Sequence, residues 1–121
     1  MPTEKNLLEL LKTEPEKVGF DDVISVVGNY YHYTPTAFVN GKGAGIVKNI
    51  AGQNEGSCKI FGFAKLHQLT ADQTLHCFGD YYRKDVLENP EGSDHQNIRA
   101  FIQCGWKALE FDGCSLVEKA R

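Results

Sequence analysis

Apolar positions recur at helical spacing from the start of the chain: Leu7, Leu8, Leu10 and Leu11 follow Thr3, and Pro15 closes the run. Steps of three and four residues gather those leucines on one side, so residues 4 to 13 are predicted as an amphipathic helix with a charged outer face. A second stripe of Val23, Ile24, Val26, Val27 and Tyr30 fits helix or strand by spacing. Asp21-Asp22 before it and Gly28-Asn29 after it favour helix, with Asp21 as the cap. The pattern then turns β-like. Tyr33-Thr34-Pro35-Thr36-Ala37-Phe38-Val39 is rich in aromatic and β-branched residues, and Asn40-Gly41 with a glycine-rich turn before Ile46-Val47 predicts a hairpin. Pro35 has no N–H to contribute to a ladder and assigns its strand to a sheet edge.

From Ser57 to Gln68 the spacing is helical again. At about 100° per residue, Ile60, Phe63, Ala64 and His67 share one side and Cys58 falls opposite, beside Gly62 and Lys65. Thr70-Ala71-Asp72-Gln73 has capping-box spacing and opens a helix whose stripe is Leu75, Phe78, Tyr82 and Val86, ending before Pro90. Ser93-Asp94-His95-Gln96 has the same spacing and opens a helix carrying Ile98, Phe101 and Ile102, with Gly105 as its stop. Trp106 to Phe111 reads as a strand before the Asp112-Gly113 turn. Helices dominate, strands are short, and βαβ alternation is absent. The expected fold is α+β, a helix-dominated single domain over residues 1 to 121 with a small antiparallel sheet or hairpin.

Composition narrows the function classes. The 121 residues are 41% hydrophobic and 24% charged, an ordinary balance for a globular chain. The net charge of −3, with Lys and Arg scattered, gives a nucleic acid nothing to hold. No apolar run reaches the roughly 18 residues of a membrane span, so no membrane partner is expected. The four cysteines, Cys58, Cys77, Cys104 and Cys114, form no CxxC and fit reduced thiols in a cytosol.

Several blocks together carry a family resemblance. They are Tyr33-Thr34-Pro35-Thr36-Ala37-Phe38 with Asn40-Gly41; Ala51-Gly52-Gln53-Asn54-Glu55-Gly56-Ser57-Cys58-Lys59-Ile60-Phe61; Thr74-Leu75 through Phe78-Gly79; Tyr82-Arg83-Lys84-Asp85-Val86-Leu87; Asp94-His95-Gln96-Asn97-Ile98-Arg99; and Gly105-Trp106. In this order, across residues 18 to 116, the chain resembles the HopJ type III effector family. The resemblance implies a bacterial protein of a family named for a delivered effector, with no catalytic residues to carry over. A delivered effector has a flexible, Ser-rich export segment, whereas this chain begins almost at once with a predicted helix and has only Ser25, Ser57, Ser93 and Ser115. The expectation is a resident cytoplasmic protein.

Two kinds of chemistry can be built from the candidate residues. Cys58 falls near a predicted helix N-terminus, where unpaired N–H groups favour a thiolate. With His95 as general base and Asp94 or Asn97 orienting the imidazole, this makes a small cysteine-dependent hydrolase or transferase. The Glu55 carboxylate beside the same helix start opposes a thiolate, and the plain alternative is that Cys58 packs as a small apolar residue under the loop at 51 to 56. The other reading is a binding or interaction domain with a surface pocket near Asn54, Cys58, His95 and Arg99, taking an unidentified protein or small molecule. Arg83 and Arg99 flank their apolar stripes, free to bind an anion or to tie loops together. Asn54, Arg83, Asn97 and Arg99 are therefore the ligand-binding candidates.

Other groupings are set aside. His76 and Asp80 stand four apart, with His95 or His67 as a third ligand, but they share a face with Arg83 and Lys84 that reads as solvated, so no metal is assigned. Gly41, Gly43 and Gly45 match neither GxxxxGK[ST] nor GxGxxG, and no cofactor is expected. His67, on the apolar side of its helix, is expected to be a hydrogen-bonded core histidine.

Overall fold

The computed structural model describes residues 3–120. Thr3 opens the first helix, α1 (Glu4–Thr13), its hydroxyl accepting from the Asn6 N–H at 3.1 Å. Leu7 and Leu11 are buried, as their spacing requires. The second stripe is helical, α2 (Phe20–Tyr30), but its cap differs from expectation. Gly19 is the N-cap, and Asp22 rather than Asp21 reaches back to accept from the Gly19 N–H at 3.1 Å. From the third helical position a carboxylate can fold back onto the cap nitrogen.

Two small antiparallel sheets follow. In one, β1 (Tyr31–Tyr33) pairs with β5 (Leu116–Glu118), Tyr33 opposite Leu116. In the other, β2 (Phe38–Asn40) lies between β3 (Val47–Asn49) and β4 (Glu110–Phe111). The predicted hairpin is β2 and β3, with Phe38 opposite Asn49 and Asn40 opposite Val47. The edge assignment fails because Pro35 lies in the link between β1 and β2, leaving β2 free to pair on both sides. The predicted strand over 106 to 111 shrinks to Glu110–Phe111, since Gly105–Ala108 forms a 3₁₀ turn. That turn lets the Trp106 indole N–H donate to the Leu69 carbonyl at 3.1 Å.

The centre of the fold is α3 (Glu55–Leu66). Cys58, Ile60, Phe61, Gly62, Phe63 and Ala64 are all buried, so the middle of this helix is covered on every side. Phe61 packs on Phe101, Phe78 and Phe38 with ring centroids 5.0, 5.3 and 5.9 Å away. Each such pair adds about 0.5–1.5 kcal/mol beyond its area. The one-sided projection therefore misplaced Cys58, which is buried against the link between β1 and β2 with its thiol 3.5 Å from the Thr36 carbonyl oxygen.

The capping box at Thr70 forms, with reciprocal bonds between Thr70 and Gln73 of 3.0 and 3.1 Å. The helix it opens, α4 (Ala71–His76), is shorter than its stripe predicted. The chain turns at Gly79, which has φ 62°, and continues as a π-helical turn over Tyr81–Val86. Leu75, Phe78, Tyr82 and Val86 are nevertheless all buried, joined across the break. The second predicted box does not close. His95 is the N-cap of α5 (Gln96–Cys104), and the Gln96 amide donates to the Ser93 carbonyl instead of returning to a cap nitrogen. Gly105, with φ 65°, ends α5 as expected. Among the described residues no helix is long and apolar enough to cross a membrane.

Candidate functional site

A cavity of about 610 Å³ opens where the N-termini of α3 and α5 come together. Phe20, Val47, Phe78, Tyr81 and Ile98 supply its apolar wall, and Asn54, Ser57, Asp94, His95 and Asn97 its polar wall. The two helices begin in the same unusual way. Asn54, the α3 N-cap, has φ 51° and ψ 48°, and His95, the α5 N-cap, has φ 49° and ψ 50°. Helix N-caps ordinarily have extended backbone and turn a side-chain oxygen onto the first-turn N–H groups. Neither left-handed residue does so.

Their side chains are used elsewhere. The Asn54 amide donates to Asn49 Oδ1 at 2.7 Å. His95 Nε2 meets Asp85 Oδ2 at 3.0 Å, and its ring lies 5.2 Å from that of Tyr81. The first helical bonds are Cys58 N–H to the Asn54 carbonyl and Arg99 N–H to the His95 carbonyl, at 3.0 and 3.1 Å. The N–H groups of residues 55–57 and 96–98 have no acceptor among the described residues. Two sets of helix-terminal donors thus open onto one concavity, each with the partial positive charge of a helix start.

Asp94 is the acidic group in the wall, and its charge is matched. An Arg99 guanidinium nitrogen stands 2.6 Å from Asp94 Oδ1, and this hydrogen bond holds the carboxyl below the usual carboxylate range. Arg99 also donates to the carbonyls of Asp94 and Asn89 at 2.6 and 2.9 Å, tying down the loop before α5. Arg83 is another tie. It donates to the carbonyls of Val18, Pro15 and His76 and contacts His76 Nδ1 at 3.1 Å, joining the segment before α2 to the turn after α4. Both arginines are thus engaged in tying loops together.

Cys58 follows Ser57 in sequence but does not line the cavity. Its thiol is buried and donates to the Thr36 carbonyl at 3.5 Å. Burial, with Cys58 and Glu55 nearby, raises the Tyr33 hydroxyl well above the usual phenol range. Cys58 therefore looks inward while the His95 imidazole is engaged with Asp85 and Tyr81. Asn54, Asp94, His95 and Asn97 are brought together; Cys58, Arg83 and Arg99 stand outside the lining.

His67 is hydrogen-bonded as expected, with Nε2 2.8 Å from the Tyr31 hydroxyl and 3.3 Å from Glu4 Oε2, but it is half-buried at the edge of the core. His76 lies on Asp72 and Arg83, and the described residues contain no group of three or more His, Cys, Asp or Glu arranged to hold a metal ion. Sequence reasoning missed Ser57 and Phe20 in the wall, and Asn40 and Asn49 behind it. The one readable signal for Asn49 is strand parity, which turns it inward two residues after Val47.

The comparisons with known proteins fit this architecture. A family model described as HopJ type III effector protein matches residues 4–116. No curated protein matches. A solved structure described as the crystal structure of the unknown-function protein VPA0580 is similar, at 43% identity and a TM-score of 0.92, over 98% of this chain and 95% of that one.

Proposed function

The chain belongs to the HopJ type III effector protein family, and from that premise we propose that it is a small soluble binding domain whose ligand sits in the cavity between α3 and α5. The ligand is a small molecule with a carboxylate or phosphate head and an apolar body. One observation carries this reading: five residues of two helix starts, Gly56, Ser57, Gln96, Asn97 and Ile98, whose main-chain N–H groups have no protein acceptor among the described residues, border one cavity. Each helix start acts like roughly half a positive charge, and together they are suited to an anion. Asp94 does not cancel this field, because Arg99 neutralises it. Phe20, Tyr81 and Val47 offer the body of the ligand an apolar surface.

The left-handed backbone at Asn54 and His95 supports the same reading. A non-glycine residue in this region costs about 1–3 kcal/mol and persists where the surroundings hold it. Here it keeps two cap side chains off the donors they would otherwise satisfy. The cysteine-dependent alternative lacks a comparable observation, since the Cys58 sulfur is buried against Thr36.

The test is an amide-shift titration with benzoate and phenyl phosphate as probes. Saturable shifts concentrated at Gly56, Ser57, Gln96 and Asn97 are expected. No saturable shift at millimolar probe, or shifts centred on another face, overturns the proposal.

A further inference from the structure

Behind the cavity, four asparagines from four elements are bonded to one another. Asn49 and Asn97 form a reciprocal amide pair: Asn97 Nδ2 donates to Asn49 Oδ1 at 2.9 Å, and Asn49 Nδ2 donates to Asn97 Oδ1 at 3.2 Å. Asn49 Oδ1 accepts a second bond from Asn54 at 2.7 Å. Asn97 Oδ1 accepts a second from Asn40 Nδ2 at 3.1 Å, and the same Asn40 nitrogen reaches the Asn97 carbonyl at 2.8 Å. Asn40, Asn49 and Asn97 are buried, at 0, 3 and 5% exposure.

From this arrangement we infer that Asn49 is a positioning residue for the cavity, setting the separation and orientation of the two helix starts through Asn54 and Asn97. The inference rests on the binding reading above. Asn49 is not part of the cavity wall, yet it holds one wall side chain from each helix start. A two-bond amide ring is planar and has one mutual orientation, so it transmits position as well as attraction. Apolar residues of similar size would fill the space without polar atoms to satisfy, whereas buried amides lose heavily if one bond is broken. The arrangement even leaves an orphan: Asn40 Oδ1 is the one buried side-chain polar atom without a partner among the described residues. Rotating that amide to relieve it would set oxygen against both Asn97 oxygens. The network is thus organised around holding Asn97 in place.

Asn49→Ala and Asn49→Asp test the assignment, with Leu11→Ala as a comparably destabilised variant remote from the cavity. Without any probe, both Asn49 variants are expected to shift the first-turn amides of α3 and α5 together, while Leu11→Ala leaves them in place. With benzoate, the Asn49 variants are expected to bind about tenfold more weakly under conditions where each is fully folded, and Leu11→Ala as tightly as the parent. Shifts confined to β2 and β3, or to one helix start, overturn the positioning role, as does unchanged affinity. If the parent itself binds neither benzoate nor phenyl phosphate, the binding reading fails, and the probe-free shifts still decide whether Asn49 couples the two helix starts.

Discussion

A Cβ placed on Gly79 would stand 2.6 Å from the main-chain nitrogen of Phe20. This close approach locks the turn after α4 against the start of α2, and Phe20 carries the contact to the cavity wall. Gly79 also has φ 62°, a region that alanine enters at a cost. Gly79→Ala should therefore lose about 2–4 kcal/mol, combining left-handed strain with overpacking against main chain that cannot rotate away. Urea unfolding measures it, and a loss below about 0.5 kcal/mol would show the contact to be soft.

Cys58 should behave as a packing residue. In the native protein, alkylating reagents followed by mass spectrometry should label exposed Cys114 first and buried Cys58 only on unfolding. Cys58→Ala is expected to cost about 1–2 kcal/mol and to leave benzoate binding within about twofold. Labelling of Cys58 at the rate of Cys114 would contradict the buried placement.

The Arg99–Asp94 pair predicts an acid-side effect. The Asp94 carboxyl titrates below the usual range because Arg99 donates to it. The sign follows: its stabilising contribution is present above the ordinary carboxylate pKa and is lost as pH falls through the lowered folded value. Arg99→Ala should return Asp94 toward the ordinary value of about 3.9, followed by carboxyl-carbon NMR. The same variant leaves an unmatched carboxylate in the cavity wall and should weaken benzoate binding. An unmoved Asp94 titration would remove the premise.

Cys77 predicts an alkaline effect of opposite sense. Burial pushes its thiol up to about 12. An unperturbed thiol ionises at about 8.5, so the contribution is full below that value and is lost as pH rises toward about 12. The slope should approach about 1.4 kcal/mol per pH unit within that window. Comparing the pH dependence of unfolding in the parent and in Cys77→Ala isolates it from the lysines and tyrosines. Parallel curves for the two proteins would rule the effect out.

Local signals were read where their physics is local. The Leu7 and Leu11 spacing gives a buried helical face, the Thr70–Gln73 pair closes its box, Gly105 ends α5, and Asn40-Gly41 leads into the hairpin. Each is decided within a few residues. The errors share a cause in packing between distant segments. The stripe from Leu75 to Val86 reads as one helix until Phe20 approaches Gly79 and forces a turn. Ser93-Asp94-His95-Gln96 has capping-box spacing, but a left-handed His95 engaged by Asp85 prevents the box from closing.

The candidate site divides in the same way. Asn54, Asp94, His95 and Asn97 were legible because polar residues beside predicted helix starts carry a physical reason to matter. The helical projection misplaced Cys58, because whether the second half of a helical circle meets water depends on which distant segments cover it, here the link carrying Thr36. The sequence by itself determined the α+β class, the family and the residues at each helix start, since periodicity and capping act over one or two turns. Only the tertiary structure decided that two of those starts face one cavity, that Arg83 is spent on the segment before α2 and that Asn49 is bonded to Asn97, because these are contacts across 40 residues or more and sequence spacing carries no distance at that range.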